Sequence, residues 1–134
     1  MGLFRRRRPA PSDPLGSGVW RRAYDDCATA PRRTAPLVDR ATAARLDAAA
    51  SAVLGSARTA AQRWPADGLD VPADPAARAA YDRLRAVAAA SREVAYRVSL
   101  LARGAGAAEQ EALLARALDT LGAAVAELER GRPA

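Results

Sequence analysis

Apolar positions along this 134-residue chain recur at helical spacing, and no stretch alternates with the period of two that marks a half-buried strand. Four helices are predicted. Trp20, Ala23, Tyr24 and Cys27 fall at i, i+3, i+4 and i+7, which gathers them on one face of a short helix over residues 19–29. Arg21 and Asp25, and Arg22 and Asp26, stand four apart on the other side. Pro31 ends the segment. So short a helix is marginal alone and has to dock on something.

The second helix is expected to begin at Thr34 as N-cap, with Pro36 in its first turn, and to end at Trp64 before Pro65. Its seam is Leu46, Ala50, Val53, Ala57, Ala60 and Trp64, widened by Leu54 and Ala61, with Gly55 a soft spot worth up to ~1 kcal/mol. Residues 65–74 read as a loop, carrying two prolines, an Asp-Gly pair and three aspartates. Asp74-Pro75 is the strongest start signal in the chain, an acidic N-cap followed by proline at the first helical position. The third helix runs from there to about Arg103, its stripe formed by Leu84, Val87, Ser91, Val94, Val98 and Leu101, with Tyr81, Ala88, Ala95 and Ala102 beside it. Gly104 and Gly106 break it, and the short break predicts a helical hairpin. The fourth helix covers about Ala107 to Arg130, with Leu114, Leu118, Leu121, Val125 and Leu128 as its seam.

The expected fold is all-α. Residues 32–134 form an Ala-rich three-helix bundle, up-down-up, and residues 19–31 a short docking helix across it. Residues 1–18 form a disordered basic arm, because Arg5 to Arg8 are followed by Pro9, Pro11, Pro14, Gly16 and Gly18.

Composition sharpens this picture. Of 67 apolar residues 37 are Ala, and Leu, Ile, Val and Phe together number 23, below the roughly 20% level at which chains begin to look disordered. A net charge of +6 is too small to complete that diagnosis. A seam this rich in Ala brings helix axes close and keeps the buried volume small, so the core is marginal and self-association or a bound partner is a natural remedy. Lys, Ile, Asn and His are absent, which fits a GC-rich, bacterial coding sequence and explains much of the arginine without any function. No run of about 18 apolar residues exists to cross a membrane, and no apolar stretch follows the N-terminal charges as in a secretory signal. The expected location is therefore cytoplasmic.

Chemistry is hard to find. The chain lacks GxSxG, a Gly-rich phosphate loop, HExxH, CxxC and ExxH, and with no His there is neither the commonest metal ligand nor the usual base for a cysteine nucleophile. Cys27, beside Trp20 and Tyr24, reads as a small packing residue. Asp67, Asp70 and Asp74 lack the spacing of an EF-hand loop. Most helical acids stand three or four residues from an arginine, as in Asp74–Arg78–Asp82–Arg85, Glu93–Arg97, Arg116–Asp119 and Glu127–Arg130. No catalytic residue, metal or cofactor is expected, and no small-molecule substrate.

Charge is unevenly spread: residues 1–64 carry +7 and the remainder −1. The arm residues Arg5, Arg6, Arg7 and Arg8 are the candidate anion-binding set, for nucleic acid phosphates or an anionic membrane surface, with Leu3 and Phe4 able to enter its interface. Trp20, Tyr24, Leu100 and Leu113 are the candidate protein-interaction set. Leu100 and Leu113 lie outside the seams near the Gly104–Gly106 break, so they are expected to be covered by Trp20 and Tyr24 or by another copy of the chain. The favoured function is a non-enzymatic interaction module that self-associates or docks on a partner protein; the alternative is an anionic-surface binder acting through the arm.

Overall fold

The computed structural model describes residues 15–66, 68–104 and 106–131. Four α-helices account for most of them: α1 (Val19–Thr34), α2 (Arg40–Arg63), α3 (Pro75–Ala102) and α4 (Ala107–Arg130), with a 3₁₀ turn over Ala35–Leu37. Among the described residues there is no strand. Residues 1–14 of the predicted arm lie outside the described residues, but the arm does not extend to Gly18, since Leu15 is already buried.

The two ends of α3 and α4 follow local rules. Asp74 caps α3 with one carboxylate oxygen that accepts from the amides of Ala76 and Ala77, both at 3.0 Å, and Pro75 takes the first helical position. Gly104 (φ +78°) and Gly106 (φ +57°) supply the left-handed conformations that turn the chain into α4.

The boundary between α1 and α2 departs from the local reading. Pro31 does not end α1. It has no N–H to give to the preceding turn, yet the helix continues through it to Thr34, and the amide of Ala35 donates to the Pro31 carbonyl. What holds the last turn is burial: Ala28, Ala30 and Thr34 face the core, and the Thr34 hydroxyl donates back to the Ala30 carbonyl at 2.6 Å. Thr34 therefore finishes one helix rather than starting the next. The cap of α2 is Asp39, whose carboxylate accepts from the Thr42 amide at 2.8 Å.

Nor is α1 a minor helix laid across the others. It packs extensively on both α2 and α3, while α3 packs on α4. Its Trp20 is 0% exposed and sits among the buried Val19, Leu46, Val53, Leu84, Val87 and Val94 of the common core. The α2 and α3 seams are buried largely as expected, although Ala50, Trp64 and Leu101 are only half-buried. On α4 only Ala117, Leu121 and Leu128 are buried, and Leu114, Leu118 and Val125 remain half-exposed.

The loop after α2 closes over the start of α1. Gly18, the N-cap of α1, has no side chain with which to cap, and the Val19 amide instead donates to the Gly68 carbonyl at 2.9 Å. The approach is so close that a Cβ on Gly18 would lie 2.3 Å from the Ala66 carbonyl oxygen and 2.8 Å from that of Gly68. Gly18→Ala is expected to destabilise by about 1–3 kcal/mol, as other overpacking changes do. By contrast, a Cβ on the exposed helical Gly122 meets only the Arg45 guanidinium at 3.5 Å, so Gly122→Ala is expected to stabilise by up to about 1 kcal/mol. Urea unfolding midpoints check both signs.

Capping also gives a pH dependence. The Thr42 backbone amide, with help from its hydroxyl, holds the Asp39 carboxyl below its ordinary value. The stability this adds is present above the ordinary aspartate range and is lost as pH falls through the lowered value. Asn caps equally well without titrating. The difference in thermal midpoint between wild type and Asp39→Asn should therefore be constant near neutrality and shift in favour of the variant under acid.

Candidate functional site

Two concavities are the natural places to look for function, one against each half of α3. The first is a groove of about 530 Å³ between the C-terminal halves of α1 and α3. Its floor is made of small residues, Ala30, Thr34 and Ala95, and its walls carry Leu37 from the 3₁₀ turn and Tyr96 from α3. These two are 52% and 54% exposed and together line one groove. Arg33 and Arg92 stand at its rim, and the Arg97 guanidinium lies 5.2 Å from the centre of the Tyr96 ring.

At one end of this groove Asp26 joins α1 to α3. Its carboxylate meets Arg85 at 2.5 Å, Arg92 at 3.7 Å and Arg22, one turn away on its own helix, at 4.0 Å. The Arg22–Asp26 and Arg21–Asp25 spacings were legible in the sequence, and both form at 4.0 Å. The cross-helix contacts were not. The spacing read from the sequence set Arg85 three residues after Asp82 on the same helix. Asp82 in fact pairs with Arg78, while Asp26 draws Arg85 and Arg92. The Glu93–Arg97 and Glu127–Arg130 pairs form as expected.

Behind Asp26 the Cys27 thiol and the Ser91 hydroxyl face each other at 3.5 Å, both fully buried. Burial pushes the Cys27 thiol up, the Ser91 hydrogen bond partly offsets this, and the Asp26 charge adds to the rise. Such a thiol is a packing group, poorly disposed to act as a nucleophile. Native protein at neutral pH should react with a disulfide reagent no faster than it unfolds, whereas denatured protein should react at once. Labelling of native protein at the rate of a free thiol would contradict this placement.

The second concavity, about 380 Å³, lies where the end of α2, the start of α3 and the last turn of α4 meet. Ala60, Ala80, Leu84 and Leu128 form its base, Trp64 one side, and Arg63 and Arg83 its polar edge.

The interaction residues expected from the sequence are not brought together. Trp20 does not cover Leu100 and Leu113. Its indole N–H donates to the Trp64 carbonyl at 2.8 Å, and its ring lies 6.4 Å from both Trp64 and Tyr81. Tyr81 and Leu100 are nineteen residues apart on α3, which at helical rise is about 28 Å. Tyr24 is half-buried against the core, and Leu100 is half-buried near the end of α3. Leu113 is half-buried and lines a shallow trough on α3 and α4 with Glu93, Arg97 and Arg116. Leu37 and Tyr96, the large apolar groups that are exposed at the groove, escaped the sequence reading: Leu37 falls between helices and Tyr96 outside every seam. Arg5 to Arg8 lie outside the described residues.

Among the described residues no group of three His, Cys, Asp or Glu is placed to hold a metal, and no helix is long and apolar enough to cross a membrane. Comparison with known proteins found no matching family model, curated protein or solved structure.

Proposed function

We propose that this protein is a non-enzymatic helical module that associates with a second copy of itself, the groove between α1 and α3 receiving the acid-rich α4 of its neighbour. The observation that carries this reading is the exposed pair Leu37 and Tyr96 flanking a groove rimmed by Arg33 and Arg92. A floor of Ala30 and Ala95 lets a helix approach closely. Charge complementarity favours α4 as the occupant. It bears Glu109, Glu111, Asp119, Glu127 and Glu129 against Arg116 and Arg130, while α1 and α3 together carry nine arginines and four acids. Half-buried Leu113, which lies outside the α4 seam, adds apolar surface to the helix. Reciprocal docking about a two-fold axis would close the assembly as a dimer. The same reading takes α2, α3 and α4 as an up-down-up bundle, joined by the short Gly104–Gly106 turn, and places the chain in the cytoplasm.

Sedimentation equilibrium tests it. Wild type should shift from monomer toward dimer between micromolar and sub-millimolar concentrations, and added salt should weaken the association. The double variant Leu37→Gln, Tyr96→Gln should stay monomeric with unchanged circular dichroism. Wild type that remains monomeric throughout, or a double variant that still dimerises, overturns the reading.

A further inference from the structure

We propose that the cavity bounded by α2, α3 and α4 is a binding site for a small carboxylate with an apolar body. Its base is apolar on all three helices: Ala60 from α2, Ala80 and Leu84 from α3, and Leu128 from α4, with the Trp64 ring along one side. Alanine bias alone leaves such a hollow, since a bulkier seam would fill it. The arginines turn the hollow into a site. Arg63 and Arg83 stand at its edge, no Asp or Glu is among the described residues that line it, and neither arginine forms an ion pair with any described residue.

Each guanidinium is positioned without being satisfied. Arg63 lies with its guanidinium carbon 5.5 Å from the centre of the Trp64 ring, which orients the fork without using its N–H groups. Half-buried Arg83 donates one N–H to the Gly131 carbonyl at 3.3 Å, a long bond, and guanidinium has five donors. Two cations beside an apolar base call for an anion whose remainder is apolar. A carboxylate matches the planar fork with two parallel hydrogen bonds. A cavity of about 380 Å³ is of the size that takes a small molecule such as a medium-chain or single-ring acid. Pockets of this kind, apolar with a few convergent polar groups, are where small molecules bind. The site uses the start of α3 and the self-association groove its C-terminal half, with no lining residue in common, so neither depends on the other.

Octanoate is the probe, with 1-octanol and octylammonium as neutral and cationic controls. Of the chain's two tryptophans Trp64 lines the site and Trp20 packs on Trp64, with ring centres 6.4 Å apart, so the emission reports occupancy. Octanoate should shift it saturably, and both controls should bind at least about tenfold more weakly, the worth of one charge-assisted hydrogen bond. The surface variant Arg63→Gln, Arg83→Gln should lose at least about tenfold for octanoate and leave 1-octanol unchanged. Ala79→Phe, which fills the mouth with no change of charge, should block both ligands. Absence of saturable binding overturns the proposal. So does equal binding of octanoate and 1-octanol, or undiminished octanoate binding by either variant. None of these outcomes bears on whether the chain dimerises.

Discussion

Everything in this fold hangs on burying one indole. Trp20 occupies the point where the start of α1, the end of α2 and the start of α3 converge, and it is fully excluded from solvent. Its ring packs on Trp64 and Tyr81, so three of the chain's six aromatic residues meet there. At about 25 cal/mol per Å², removing about 150–250 Å² of indole from water contributes roughly 4–6 kcal/mol before entropy is counted. Net stabilities are themselves only about 5–15 kcal/mol. Alanine makes up half of the other described buried apolar residues, the rest being Leu, Val and Cys27, and none of them is as large as this indole. Burial also obliges the indole N–H to find a partner, and the Trp64 carbonyl meets that need. The same loop then comes down onto Gly18, where its Gly68 carbonyl takes the Val19 amide. One hydrophobic anchor thus sets the loop's path, and the loop's path demands glycine at residue 18.

Alanine imposes the second constraint. Helices that meet through alanine can approach closely, yet they fill little of the space beyond the line of contact. The interior seam of α2, α3 and α1 is tight because Leu46, Val53, Leu84 and Val94 are spaced along it. On either flank the bulky residues run out and hollows remain. The groove beside Leu37 and Tyr96 and the cavity beside Trp64 are both floored by alanines. Concavity here follows from composition, and what each hollow can bind follows from the arginines at its edge.

How much of this was legible in the sequence depends on how local the determining interaction is. Helices α3 and α4 were readable at both ends because Asp74-Pro75 and the Gly104–Gly106 pair act within a few residues. The α1–α2 boundary was not. Pro31 and Thr34 carry strong local signals for ending and starting helices, and tertiary burial of Ala30 and Thr34 overrides both. Trp20 and Tyr24 were correctly placed on the apolar face of α1, but nothing in their spacing distinguishes a face that meets Leu100 from one that meets Trp64. Asp26 illustrates the same limit for charge. Periodicity reveals pairs four apart and is blind to a carboxylate from another helix.

Charge, finally, is what separates the faces of an otherwise monotonous molecule. Arginine outnumbers the acids on α1, α2 and α3. Asp26 takes three arginines at once and so satisfies none of them fully. Arg33, Arg63 and Arg83 form no ion pair among the described residues. The acids are concentrated in α4 instead. A single exposed pair would be worth little, because water and salt screen it. A segregation of sign between whole helices acts differently. It makes α1 and α3 net basic and α4 net acidic, and the proposed docking of α4 and the proposed carboxylate site both rest on that difference in sign.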